Sequence, residues 1–270
     1  MLAGTFGIEG PSATVQTACT SSAQAIGEAM RAVRRGTVDL ALAGGAECIV
    51  SPIEIQLFCL LHVMSRQNET PATASRPFDA RRDGFVMGEG AGFLVLESVE
   101  HARARGAPAV AELAGYGSAC DAYRITDEAP DGRGAMAAMR AALADARLSE
   151  TDVDYVNAHG TSTPMNDRVE TAAIKGVFGE HARRLLISST KSMIGHTISA
   201  AGAIELITAA LAVRDQVAPP TINYQVRDPA CDLNYVPNVA VPAPIGVAIS
   251  NSFGFGGHND CLLVRRAERD

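Results

Sequence analysis

The chain has 270 residues, 47% of them hydrophobic, enough for one large domain or two smaller ones around a sizeable core. A net charge of −7, with basic residues clustered only as "RRG", "RR" and "VRR", argues against nucleic acid as the main partner. No apolar run is long enough to span a bilayer, "MLAGTFGIEG" lacks the basic and apolar regions of a signal peptide, and six scattered cysteines without a C-x-x-C pair read as reduced thiols, so a cytoplasmic location is expected.

In chain order, "SATVQTA" (12–18) is short and β-branched, like the end of a buried strand. In "SSAQAIGEAMRAVRRG", apolar residues at Ala23, Ile26, Ala29, Met30 and Val33 have helical spacing, and Gly36 follows a basic last turn. Cys19 therefore falls on a strand-to-helix junction. The N–H groups and positive end of that helix would favour thiolate over thiol; the alternative is a small buried hydrophobe. "VDLALAGGAE" (38–47) reads as a buried strand entering a glycine turn, and "GAGFLVLES" (90–98) as another strand before the helix "VEHARARG". "VAELAGYGSA" (110–119), the helix "GRGAMAAMRAALADARL" (132–148) and the strand "DYVNAHG" (154–160) follow. A helix is expected over about 167–178, then a strand "LLISSTKS" (185–192) and the helix "SAAGAIELITAALAVRD" (199–215). "IGVAISNSFGFGG" (245–257) and "CLLVRR" (261–266) close the series, with loops over 64–89 and 216–243. Strands alternating with helices predict a layered α/β fold.

A repeat shows through this order. The unit around Cys19 resembles the unit around Lys191 and His196; "VDLALAGGAE" answers to "GVAISNSFGFGG", and "GAGFLVLE" to "NDCLLVRR". The second half carries two further strands and a helix ahead of its unit, and the first half shows no counterpart. The expectation is two pseudo-repeated halves, 1–106 and 107–270, the first incomplete and showing three strands against five.

Three polar motifs follow the cysteine at strand ends, where open α/β sheets gather ligands. "NAHGTSTPMND" presents His159, Thr161 and Thr163; "SSTKSMIGHTISAAGAIE" presents Lys191, His196 and Glu205; "SNSFGFGGHN" puts Phe253 and Phe255 in a glycine-rich turn. One histidine alone is more often structural, but a cysteine and two histidines, each bordered by Gly, Ser or Thr, form a candidate catalytic set. The spacing is poor for zinc, and "GEGAG" and "GFGG" do not match a phosphate-binding loop.

With "TACTSSAQAIG", "LAGGAE", "SRPFDARRDGFVMGEGAGFLVLE", "VNAHGTSTPMND", "SSTKSMIGH", "PPTIN" and "SNSFGFGGHN", the chain resembles the elongating β-ketoacyl-acyl carrier protein synthases of the thiolase-like superfamily over essentially its whole length. The resemblance implies a thiolase-like fold, two mixed sheets layered with helices, and a Cys–His–His triad between the halves. It departs in one respect: about a third of the family's chain, ahead of the nucleophile strand, has no match.

The resemblance implies decarboxylative Claisen condensation of an acyl group with malonyl carrier protein, in fatty acid or polyketide synthesis. Cys19 would accept the acyl group, and His159 and His196 would stabilise the malonyl enolate. The N–H groups of Cys19 and Phe255 would form an oxyanion hole, and Phe255 would gate the acyl pocket. Lys191 paired with Glu205 would organise the site around His196. Thr161 and Thr163 would bind the phosphopantetheine arm, with Phe253, Phe58 and Phe85 at substrate-binding positions. No metal or cofactor beyond the carrier's phosphopantetheine is implied. The implied partners are acyl carrier protein, a second ketosynthase subunit in a homodimer or heterodimer, and a polypeptide supplying the unmatched segment. Neither nucleic acid nor a membrane is implied. A degradative thiolase would carry a second cysteine in the last glycine-rich motif, and a non-catalytic chain-length partner would lack Cys19. The alternative from another class is an incomplete ketosynthase, inactive alone, serving as one half of a split enzyme or as a non-catalytic partner.

Overall fold

A computed structural model describes residues 2–267. The first part holds α1 (Leu2–Phe6), α2 (Ser21–Arg34), β1 (Leu40–Glu47), α3 (Pro52–Leu60), β2 (Gly90–Glu97) and α4 (Val99–Ala104). The second holds β3 (Glu112–Cys120), α5 (Arg133–Ala146), β4 (Tyr155–Asn157), α6 (Pro164–Phe178), β5 (Leu186–Ser188), α7 (Lys191–Ile194) and α8 (Ala201–Asp215). The short pair β6 (Val217–Ala218) and β7 (Val241–Pro242) precedes β8 (Val247–Gly254) and β9 (His258–Arg265).

Five strands form one mixed sheet in the order β3-β9-β8-β4-β5. β4 runs parallel to β5 and β8, whereas β9 is antiparallel to β8 and β3. β8 and β9 are buried on both faces because both faces are covered. Cys261 and Leu263 join the core beneath α5 and α6, whereas Leu262 and Val264 join the one shared with α2 and α8. α2 and α8 thus lie between this sheet and the antiparallel pair β1–β2. They approach closely: a Cβ on Gly202 would sit 2.7 Å from that of Ala23, and Ser22 Oγ accepts from the Ala203 N–H at 2.9 Å. Both helices start at the same end of the molecule, which is what places Cys19 beside the motifs that follow β4 and β5.

The α/β fold and the repeat correspondence β1–β2 to β8–β9 match the expectation from sequence. Three segments differ. Residues 11–17 form no strand: among the described residues no strand lies alongside, and the Thr17 N–H turns to Ser21 Oγ at 2.9 Å. The first part therefore shows two strands rather than three. The strand expected over 185–192 stops at Ser188, because Ser189–Thr190 turn into α7. α3 was not foreseen, since "PIEIQLFCL" is apolar nearly all round and has no helical stripe. None of its residues is buried, and Ile53, Leu57 and Leu60, with Phe93 and Val95 of β2, stay exposed. Among the described residues no helix is long and apolar enough to cross a membrane.

Candidate active site

Cys19 sits in a single 3-10 turn, Ala18–Thr20, that runs straight into α2. Ala18 is held at φ 51°, a strained conformation for a residue with a Cβ. That twist buries the thiol against Phe85, Met87 and Ile198. The backbone N–H groups of Phe255 and of Cys19 itself favour the ionised sulfur. Burial nonetheless pushes the thiol up to about 12, with the Lys191 charge opposing. The expectation of a thiolate is thus corrected: desolvation outweighs the helix end, and the resting group is the thiol.

His159 follows β4 by two residues, and His196 follows α7. Their rings meet edge-on, 5.3 Å apart at 85°. Both are buried, and burial drives both well below the ordinary histidine range, with Lys191 adding to the effect. The imidazoles are therefore neutral. Their tautomers follow from their neighbours. His196 Nδ1 accepts the Ile198 N–H at 3.2 Å, and His159 Nδ1 lies 3.3 Å from Lys191 Nζ. An Nδ1 that accepts leaves the proton on Nε2, so each ring offers an Nε2–H donor. Ile198, β-branched yet at φ 43°, is strained to make this contact.

Lys191 is buried and ion-paired with Glu205 of α8. Its Nζ also donates to the His159 carbonyl at 2.7 Å. The pair was expected to organise the site around His196; it grips His159 instead, because Lys191 begins α7 directly across from the end of β4. Among the described residues no group of three His, Cys, Asp or Glu is placed to hold a metal ion.

Glu170 of α6 was not singled out from sequence. Its two oxygens accept the His159 and Gly160 N–H groups at 2.9 and 2.8 Å, and Asn251 donates to it at 3.1 Å. Burial pushes the carboxyl up to about 7 against these donors. Glu170→Gln is expected to destabilise the chain by about 1–3 kcal/mol, because an amide has one acceptor oxygen for two N–H groups. Urea unfolding of the two proteins checks this.

Cys19, His159 and His196 line one cavity of about 320 Å³. Thr161, Thr163, Phe253, Phe58 and Phe85 line it too, as does Phe255. Thr161 and Thr163 share a hydroxyl hydrogen bond of 2.9 Å, and Thr163 also caps α6. Phe85 packs edge-on to both Phe58 and His196, while Phe253 is buried 5.5 Å from His159. Phe255 is half-buried in the turn between β8 and β9. Gly256 and Gly257 beside it have φ of 87° and 76°, so the turn itself requires glycine there, whether or not it moves.

Residues 1–102 match the model of the β-ketoacyl synthase N-terminal domain, and residues 110–225 that of its C-terminal domain. The chain is 48% identical over 261 residues to 3-oxoacyl-[acyl-carrier-protein] synthase 2 of Synechocystis sp., covering 97% of this chain and 63% of the relative. It is 49% identical over 263 residues to the protein of that name from Staphylococcus aureus, with the same coverages. It thus spans less than two thirds of the length of these curated relatives. A solved structure of a type II polyketide synthase acyl-carrier protein in complex with its ketosynthase bound to the hexaketide superposes with a TM-score of 0.97 at 42% identity, over 99% of this chain and 66% of that one. With this fold, and with both family domains matched along it, the chain belongs to the β-ketoacyl synthase family.

Proposed function

We propose that this chain carries the reacting groups of a β-ketoacyl-acyl carrier protein synthase of fatty acid or polyketide synthesis. The observation that carries the reading is the pair of neutral, edge-on imidazoles, both with Nε2–H free to donate, in one cavity with a buried thiol. In the first half-reaction the Cys19 sulfur attacks the acyl thioester of the carrier's phosphopantetheine. The Cys19 and Phe255 N–H groups steady the tetrahedral oxyanion, and the thiol proton leaves with the departing pantetheine thiol. In the second, a malonyl thioester loses CO₂, and the two Nε2–H donors hold the enolate oxygen. The enolate carbon then attacks the Cys19 thioester, forming the new C–C bond and releasing the cysteine sulfur as a thiolate, which takes a proton from water to restore the thiol. Lys191, tied to Glu205, fixes the His159 ring and keeps it unprotonated.

Acyl carrier protein is the proposed partner, in keeping with the carrier-bound ketosynthase that the fold matches. The uncovered apolar residues of α3 and β2 support a second ketosynthase-like subunit on that side. The test is intact-protein and peptide mass spectrometry after incubation with an acyl carrier protein thioester. The acyl mass is expected on Cys19 and lost in Cys19→Ala. Acylation of Cys48, Cys59 or Cys120, the exposed thiols, would overturn the assignment.

A further inference from the structure

We propose that Glu47 is a positioning residue for His196: through Ser199 it holds in place the Ile198 N–H that fixes the His196 ring and its tautomer. The consequence for catalysis rests on the functional reading above and deepens it.

The backbone of His196 is tied to the segment just before β2. The His196 N–H donates to the Val86 carbonyl at 2.7 Å, and the Gly88 N–H donates to the His196 carbonyl at 3.0 Å. These bonds fix where the ring starts and leave its rotation open. Two contacts limit that rotation: the edge-on Phe85 ring and the Ile198 N–H on Nδ1. Ile198 makes its contact at φ 43°. A β-branched residue stays there only where its surroundings over-determine it. The neighbouring Thr197 hydroxyl gives no support, since its Oγ1 is buried without a partner.

The support comes from the part of the molecule that carries Cys19. Glu47 is the last residue of β1, and its Oε2 accepts the Ser199 hydroxyl at 2.6 Å and the Ser199 N–H at 3.3 Å. A hydroxyl-to-carboxylate bond of this length is a strong one. β1 also comes up against the same turn at Gly45. A Cβ there would lie 3.1 Å from the Ser199 carbonyl oxygen and 3.3 Å from the Ala200 Cα. Glu47 does not line the cavity. It therefore acts on the ring only through Ser199 and Ile198, and it makes the placing of one donor depend on the part that bears the nucleophile.

The test is the tautomer of each imidazole in long-range proton–nitrogen NMR spectra of the whole chain, with His196→Gln assigning the His196 signals. In the wild type, His159 and His196 are both expected as the Nε2–H form. Glu47→Ala should move His196 to a mixture of tautomers and leave His159, which Lys191 holds, as it was; misfolding would move both. Ser199→Ala should do the same. Glu47→Gln, whose amide oxygen still accepts both Ser199 donors, should restore the wild-type spectrum. Malonyl decarboxylation should fall about 10–10²-fold in Glu47→Ala, the scale of a misplaced group, with acylation of Cys19 much less affected. A wild-type His196 in the Nδ1–H form, an unchanged His196 in both alanine variants, equal changes at both rings, or a Gln variant that behaves like the Ala variant would overturn the proposal. The spectra need no turnover. A chain whose His196 responds as described but whose wild type never decarboxylates malonyl carrier protein would keep the positioning role and refute the synthase reading.

Discussion

Replacing His159 or His196 by alanine is expected to lower malonyl decarboxylation about 10²–10³-fold, the usual cost of removing one donor to a developing oxyanion. Acylation of Cys19 should fall much less, because the oxyanion hole proposed for that step is made of the Phe255 and Cys19 backbone N–H groups rather than imidazoles. The two histidines should not behave alike in every respect. His159 is locked by Lys191 and by Glu170 through its own N–H, so its loss removes a donor from a rigid frame. His196 depends on the strained Ile198 contact, and its loss frees Phe85, which packs on it edge-on. His196→Ala is therefore expected to disturb the Phe58–Phe85 side of the cavity as well. Release of labelled CO₂ from malonyl carrier protein, set beside acyl transfer in a separate assay, gives both rates. Equal loss of the two half-reactions would remove the division of labour between backbone and imidazole donors.

Glu205→Leu should be the most damaging single change to stability, costing about 3–5 kcal/mol. It leaves the Lys191 ammonium buried beneath the His159 carbonyl with its counter-charge gone. Lys191→Met combined with Glu205→Leu removes both charges from the same buried space and should recover most of the loss, since a hydrophobic pair of similar volume costs no desolvation. Urea midpoints for the two single variants and the double variant form the cycle. The double variant should be stable yet catalytically poor, because the His159 loop then loses the Lys191 ammonium that anchors its carbonyl. Additive losses in the double variant would show that the pair is not the unit the geometry describes.

Much of this site is legible in the sequence where chemistry is local. The helical spacing after Cys19 and the small polar residues bordering His159 and His196 place all three at element ends, the nearly uncharged "STKSMIGH" speaks against a surface Lys191, and the family resemblance implies its pairing with Glu205. What depends on distance through space is not legible. Glu170 stands eleven residues beyond His159 on what reads as an ordinary helix, and only the fold turns it back onto the N–H groups of the histidine loop. Lys191 is nearer in sequence to His196 than to His159, yet adjacent parallel strands bring the latter to it. The state of the Cys19 thiol turns on how deeply it is buried, which a helix N-terminus alone does not reveal. Residues 12–18 have strand-forming composition, but a strand exists only where another runs beside it.

The strand order has a consequence for how the polypeptide comes to be folded during synthesis. β8 and β9, which lie inside the five-stranded sheet, leave the ribosome after its other three strands. β3 is made far earlier, yet among the described residues its one ladder is with β9, and Glu112 meets Arg265 across 153 residues. β4 can find β5 soon after translation, but its other edge waits for β8. The contact order of this half is therefore high, and loop closure precedes its reward. Until β8 and β9 have been made, β3 and one edge of β4 lack the strands that pair with them, so the five-stranded sheet cannot close before those two emerge.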